Sequence, residues 1–541
     1  MISLKNLNKP KNYLLLANIF LVLFLILLNN FKIIPLRAGD FAFFAFLILA
    51  FSLYRPGWAF LFFIGTIILE NINLAPLELG ISIRPYQFFG AFIILAIIIR
   101  LVSKKLYFEI LKPTFFDCLV LIMVLAGFLS ALFSEDRGSS LKLSVIFLSF
   151  AALYFLVRNY VQNGEDLKKI VPFFLASSLV VILYGIWQNW AFAHNFSHFE
   201  AMPGRPNGTF AEPDWLGIYL VGLLALIYSL IYYFSRRDAM SETQNPVTNY
   251  QLLITSCFLY FLLTVLYILL ILTVSRSAWL GALAATFIFL FIIWTNLKFK
   301  NWQWKETLVI KMKILASFAA AVAVVYVFHL TNFQLFNRIE STGTGLQKIT
   351  VACVPCKGSY EENDCNWKPF PIKDPVIIGD ISDLEDYNCR HINLEDISKE
   401  EAAGNYITTA MRSDPNINIR SEIYKKTLEE IKKHPILGVG WGGIGKVLGE
   451  DERGTSLNSS NIFLETWLGS GVVGFLALIM AFLFILFNSI KNYFYSSDNL
   501  QKTVSLFIIV SWFSMIIPNL FNAGIFLGIF WVWLAVTQIK K

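Results

Sequence analysis

Long apolar runs constrain this chain more than any other feature. Tyr13 to Phe31 is the first, and runs of about 18 or more apolar residues recur to the C-terminus. Each is long enough to cross a bilayer as a helix. In lipid, only helices and closed barrels satisfy their own backbone groups. The sequence therefore reads as an all-α polytopic membrane protein. About 14 transmembrane helices can be drawn, near 13–34, 40–54, 57–74, 84–101, 115–134, 141–160, 169–192, 214–234, 250–273, 277–297, 312–330, 461–488, 502–518 and 521–538. The second and third are short enough to form a broken pair. The last two, split by Pro518-Asn519, are compatible with one bent hairpin, so 12 to 14 spans fit. The first run is too long for the apolar part of a cleaved signal peptide and is expected to remain as a helix.

Charge gives the spans a direction. Only 15% of the 541 residues are charged, against about 25% in a soluble domain, and the net charge of +7 is unevenly placed. With the N-terminus inside, the cytoplasmic loops hold Lys9 and Lys11, Arg55, Lys104 and Lys105, Lys168 and Lys169, Arg236 and Arg237, Lys311 and Lys313, Lys491, and Lys540 and Lys541. The short outer loops hold scattered cations: Arg37, Arg84, Arg137, Arg205 and Arg276. This asymmetry follows the positive-inside rule across all the spans, so the excess charge reads as topology and not as affinity for nucleic acid. Both termini are expected in the cytoplasm, with residues 331–460 outside. The chain then divides into a membrane domain at 1–330, an extracytoplasmic loop domain at 331–460, and C-terminal spans at 461–541.

The outer segment holds four of the six cysteines: Cys353, Cys356, Cys365 and Cys389. An oxidising location favours two disulfides, in any of three pairings, over a zinc site seeded by Cys353 and Cys356. Cys118 and Cys257 fall inside spans, where a cysteine serves as a small apolar packer.

Three stretches combine polar chemistry with an outer position. The first runs from Arg420 to Gly474. Its helical spacing puts Ile423, Tyr424, Thr427, Leu428 and Ile431 on one face, and His434-Pro435 stops that helix. Gly438, Gly440, Gly442, Gly443 and Gly445 then form a flexible turn, read as a place to hold a ligand before the chain re-enters lipid. The second is Arg276, at the outer end of two spans joined by almost no loop, where a cation must snorkel, pair or line an aqueous cavity. The third is the loop around His194, His198, Glu200, Arg205, Glu212 and Asp214. The two histidines and Glu200 lack a further ligand, so no metal is expected. Arg276, Arg420 and Arg205 on one side would make an anion site, because a planar guanidinium suits phosphate better than an ammonium does.

Four blocks, NGTFAEPDWLGIYL, SRSAWLGA, the Arg420-to-HPILGVG helix and NIFLETWLGSGVVGF, resemble in order the signature blocks of the O-antigen ligase and polymerase superfamily. The resemblance covers roughly residues 115 to 540, with the cysteine region near 345–405 looking like an addition. It implies a GT-C-like membrane glycosyltransferase of the inner membrane, needing no metal, nucleotide sugar or other cofactor. Such enzymes move a glycan from an undecaprenyl-pyrophosphate carrier to an acceptor hydroxyl on a lipid, another glycan or a protein. By motif position the family's diphosphate-binding arginines map onto Arg276 and Arg420, and His434 also matches a family position. Arg205 and Glu212, both in the outer loop before the eighth span, join His434 as expected substrate contacts. One departure stands out: where the family has His-Asn, with histidine proposed to activate the acceptor, this chain has Ser460-Asn461. A serine hydroxyl is no general base near neutral pH. Glu465, one helical turn beyond Asn461, is the nearest carboxylate.

Two rival readings are a transporter of lipid-linked glycans and a non-catalytic relative that binds carrier or glycan. Ion-coupled transport usually leaves carboxylates within spans, and here such residues are nearly absent, Glu70 and Asp117 lying near span ends. The Ser460 departure favours the second.

Overall fold

A computed structural model describes residues 11–106, 109–194, 196–200, 202, 204–240, 246–299, 304–330, 346–354, 376–379, 381–392, 397–413, 415–450 and 456–539. Within them, 11 helices are long and apolar enough to cross a membrane. These are α1 (Lys11–Asn30), α4 (Pro85–Val102), α5 (Phe115–Phe133), α6 (Arg137–Tyr160), α7 (Gly164–Ala193), α8 (Pro213–Met240), α9 (Pro246–Leu272), α10 (Arg276–Phe299), α11 (Trp304–Val327), α15 (Ile462–Tyr495) and α16 (Asn499–Asn519). The chain is a polytopic helical membrane protein. Its helices begin where the sequence says they should. Pro56, Pro85, Pro213 and Pro246 each open a helix, where the missing N–H costs nothing. Asp136, Asn163, Asn461 and Asp498 cap four others by accepting first-turn amides.

Three apolar segments fall short of a full span. Helix α2 (Ala38–Tyr54) runs into α3 (Pro56–Thr66), and α17 (Gly528–Val536) has only 9 residues. At about 1.5 Å per residue, α3 and α17 reach roughly half of a ~30 Å hydrocarbon core. The spans expected at 57–74 and 521–538 are therefore each half helix and half irregular chain. Hydropathy alone does not separate the two: Glu70, Asn71 and Asn73 interrupt the first run, but five of residues 67–74 are apolar. The irregular halves are paired with protein, as backbone at such depth must be. Asn71 N–H donates to Thr209 O (2.8 Å), the Thr209 hydroxyl to Ile68 O (2.6 Å), and Gly524 N–H to Asn519 Oδ1 (2.8 Å). A buried ion pair ties the two half-helices together. Arg84 meets Glu70 at 2.9 Å, and Glu70 accepts from Tyr86 Oη (2.8 Å) and from Gly528 N–H (2.6 Å) at the start of α17.

The described residues between α11 and α15 join helix ends on one side of the bundle, here termed the loop face; the other side is the terminal face. Part of it is a four-stranded sheet of order β2-β4-β1-β3: β1 (Leu346–Cys353), β2 (Val376–Ile378), β3 (Cys389–His391) and β4 (Tyr406–Ser413). The short helix α12 (Ile397–Ala402) lies between β3 and β4. Alternating Ile349, Val351 and Cys353 face a small core of their own with Ile378, Leu384, Cys389 and Ala410. In the antiparallel β1–β3 register Cys353 sits opposite Cys389, and the two are disulfide-bonded. The other two cysteines, Cys356 and Cys365, lie outside the described residues. Cys118 and Cys257 are free and turn outward from the bundle, not inward as packers.

After the sheet, α13 (Pro415–Lys433) buries Ile423, Thr427 and Ile431 as the helical spacing requires, while Leu428 stays exposed. The glycine turn and α14 (Ile444–Leu448) follow.

Candidate active site on the loop face

The glycine turn is a structural plug, not a cradle. Helix α15 is broken at Gly471, whose φ of 67° is left-handed. The turn closes the break: Val439 N–H donates to Leu468 O (2.7 Å), and Val472 N–H donates to Ile436 O (3.2 Å). A Cβ at Gly471 would lie 2.0 Å from Ile436 O, and one at Gly438 would lie 2.3 Å from Leu468 O. Glycine at both positions thus lets two backbones meet. Trp441 then inserts between α5, α6 and α15. Its ring stacks on Phe147 (5.0 Å) and meets Phe526 edge-on (5.2 Å). The ligand-holding reading of this turn gives way to a packing role. Lys446, on α14, pairs with the α6 cap Asp136 at 3.1 Å. The Ser139 amide, then Lys446, hold that carboxyl below its ordinary range.

The polar side chains converge instead on the short link between α16 and α17. On one side, α13 and the start of α15 grip it. Leu520 O accepts from Tyr424 Oη (3.1 Å) and from Asn461 Nδ2 (3.1 Å), and the Arg420 guanidinium lies 5.8 Å from the Phe521 ring centre. Burial pushes the Tyr424 phenol up, so it stays protonated and donates. On the other side, Asn522 Nδ2 donates to Ser277 Oγ (3.1 Å) in the first turn of α10, one residue past Arg276. Ser277 Oγ is 3.2 Å from Ser275 Oγ, which donates to Asp214 Oδ1 at 2.5 Å. Asp214 also faces Arg205 (3.5 Å), and Arg205 Nε donates to Thr273 O (3.1 Å). A continuous polar path therefore joins the α7–α8 loop, the α9–α10 turn, the α16–α17 link, α13 and the cap of α15.

Arg276, the residue before Ser277, and Arg205, paired with Asp214, belong to this path, while Arg420 and Asn461 lie against the Leu520–Asn522 link itself. Ser460 borders it: its carbonyl accepts from Tyr424 Oη (3.3 Å), its φ is left-handed at 47°, and its amide donates to Asn458 Oδ1 (2.8 Å). Glu465 lies beneath the cap, 7% exposed, with one oxygen accepting the Ser459 amide (2.7 Å). Glu212 is exposed just before α8. His434 is exposed at the end of α13, one residue before Pro435, whose carbonyl accepts from Trp467 Nε1. In the loop after α7, His194 stacks on Trp190, while His198 lies 3.6 Å from Glu200. Among the described residues no group of three His, Cys, Asp or Glu side chains is placed to hold a metal.

Helices α8, α10 and α15 all begin on the loop face. Their amino ends carry partial positive charge, which favours an anion there. Sequence reasoning missed the α16–α17 link itself, with Asn522 and the Leu520 carbonyl, and gave Asp214 no role. The break at Pro518-Asn519 was the available signal.

Residues 259–479 match the family model described as O-antigen ligase. The match takes in the Arg276 turn, the whole loop segment and the start of α15, and leaves the Arg205–Asp214 loop outside it. No curated protein and no solved structure matches the chain.

Proposed function

Proceeding from an O-antigen ligase domain over residues 259–479, we propose that this membrane protein transfers a glycan from an undecaprenyl-pyrophosphate carrier to an acceptor hydroxyl. The reaction lies on the loop face, which the distribution of lysine and arginine assigns to the outer side of the cytoplasmic membrane. The observation that carries this reading is the polar path that runs from Arg205 and Asp214 through Ser275 and Ser277, beside Arg276, to the link that Arg420 and Asn461 touch. In the reaction the bond between the sugar's anomeric carbon and the diphosphate oxygen breaks, and a bond from that carbon to the acceptor oxygen forms. The leaving diphosphate gains charge as it departs, and fixed guanidiniums stabilise that charge without reorganising. Arg276 and Arg420 bind the diphosphate; Arg205 borders them, oriented by Asp214 and Thr273 O. Ser460 and Asn461 form the rim where the acceptor enters, with Glu212 and His434 further out. The acceptor proton goes to a carboxylate, Glu465 beneath the cap or Asp214 beside Ser275.

A second reading, a carrier-binding relative without transfer activity, is favoured by Ser460 standing where the family's histidine is expected. One experiment separates the two. Deleting the protein in its host and analysing lipid-linked glycans should show an accumulating donor. Single repeat units would indicate a lost polymerase and finished chains a lost ligase; no accumulation leaves only the binding reading. Arg276→Ala and Arg420→Ala should each reproduce the deletion, with transfer reduced by about 10²–10³-fold or more while folded protein remains in the membrane. Full transfer in both variants would sink the diphosphate assignment. Comparing Glu465→Gln with Asp214→Asn names the base, since only the residue that takes the proton should lose turnover with donor binding intact.

A further inference from the structure

The irregular stretch 520–527, which begins with the Leu520–Asn522 link, is held by hydrogen bonds of two kinds. Some fold it back on its own segment: Asn519 Oδ1 accepts from Gly524 N–H (2.8 Å), and Ile525 O accepts from Trp531 Nε1 (2.8 Å). Others tie it to distant elements and so fix where it lies. At the upstream end these are the contacts of Tyr424 and Asn461 with Leu520 O, and of Asn522 with Ser277. At the downstream end they come from one ion pair. Arg84 Nη1 donates to Phe526 O (3.0 Å), and Glu70 Oε1 accepts from Gly528 N–H (2.6 Å). Opposite members of a single pair thus grip the two backbone groups that flank Leu527.

Stability alone is a weak reason for such a pair. The Glu70 side chain is 1% exposed and that of Arg84 21%. Removing both charges from water offsets much of their attraction, and apolar residues of similar volume often stabilise a protein as well. Apolar residues cannot, however, aim a donor at a carbonyl on one side of Leu527 and an acceptor at an amide on the other. Tyr86 completes the arrangement: its hydroxyl donates to Glu70 Oε2 (2.8 Å) and accepts from Arg84 Nη1 (2.9 Å). Glu70 follows α3 and Arg84 caps α4, so this anchor comes from elements outside the polar path of the candidate site.

We propose that Glu70 and Arg84 are positioning residues for glycan transfer, acting through the backbone at 526–528 to hold the Leu520–Asn522 link against Arg420, Asn461 and Ser277. The inference rests on the transfer reading given above. With the downstream end released, the link keeps its upstream partners but loses the fixed point from which they are met.

A fluorine probe tests the positioning, and a transfer assay tests its consequence. 4-Trifluoromethylphenylalanine in place of Phe521 reports on the link; the same group in place of Phe287, 65% exposed on α10, is the control. Glu70→Gln keeps the shape of the side chain but removes the charge that holds Arg84. It should shift or split the fluorine resonance at 521 and leave that at 287 unchanged. Transfer by the folded protein should fall about tenfold or more, since small misplacements at a reacting centre cost up to ~10²-fold. The double variant Glu70→Met with Arg84→Met leaves no buried charge unpaired and should give the same two results. An unmoved 521 signal in a folded variant overturns the proposal, as does wild-type transfer despite a moved signal; both leave the transfer reading standing. Loss of folded protein in both variants also overturns it, because the pair would then hold the fold and not the link. A wild-type protein that transfers nothing sinks the transfer reading instead, and with it the role in transfer, whereas the 521 signal still decides whether the pair holds the link.

Discussion

The two halves of the loop segment, 346–413 and 415–474, lie side by side in sequence and are built on opposite plans. The first half folds on itself: its sheet has a private core, closed by the Cys353–Cys389 disulfide, that shares no described residue with the main core. The second half has no core of its own. Ile423, Ile431, Trp441, Ile444 and Leu448 all belong to the membrane bundle. The difference teaches where tolerance lies. A unit that buries its own apolar surface can change without disturbing its neighbours, whereas a segment that completes someone else's packing cannot.

Breaking the second half should therefore have the largest effect. Gly471→Ala forces a Cβ to within 2.0 Å of a backbone oxygen at a left-handed φ, and no folded protein should survive detergent extraction and size-exclusion chromatography. Trp441→Ala opens a cavity between three spans and should cost about 3–5 kcal/mol, read as a large drop in Tm of the purified protein. In the first half, replacing Cys353 and Cys389 with serine should cost about 2–4 kcal/mol, confined to the sheet. Limited proteolysis would show cleavage within 346–413 while the spans stay protected; a matching loss of bundle stability would break the comparison. The thiol count of denatured, unreduced protein should also fall short of six by at least two. The smallest effect concerns pH. The Arg390 contact, at 2.6 Å, followed by Asn405, holds the Glu400 carboxyl below its ordinary 4.5. A depressed folded-state pKa contributes stability above 4.5 that is lost as pH falls through the lower, folded value. Arg390→Ala should remove that acid sensitivity from the sheet and leave the bundle unchanged, as followed by protease resistance between pH 7 and 3.

Much of the bundle was legible because a span needs only length and hydropathy, and the amphipathic face of α13 was legible because three buried positions recur at helical spacing. The half-helices were not. Residues 520–527 are apolar but for Asn522, and 67–74 hold five apolar residues beside Glu70, Asn71 and Asn73; what pairs their backbone is Thr209, far away in sequence, and Asn519 and Glu70, close by. The glycines after His434 were seen, but flexibility alone does not reveal whether a ligand or another backbone fills the space; Leu468 O and Ile436 O do. The strand alternation at Ile349, Val351 and Cys353 was present to be read and was passed over for the cysteines. Arg276, Arg420 and Asn461 were singled out by motif. The Leu520–Asn522 link, against which Arg420 and Asn461 lie, was not, because it engages its neighbours through a main-chain carbonyl and one asparagine.

The clamp at Gly471 bears on how the protein is made. Residues 436–439 precede α15 in the chain, so they emerge from the ribosome before the helix whose break they close. The unpaired groups at the break then meet their partners on arrival and need not wait in hydrocarbon, where an orphaned amide is costly. Trp441 is made equally early, but Phe526, which packs against it, follows both α15 and α16 in the chain. The order of synthesis thus secures the break in α15 before the Trp441–Phe526 contact can form.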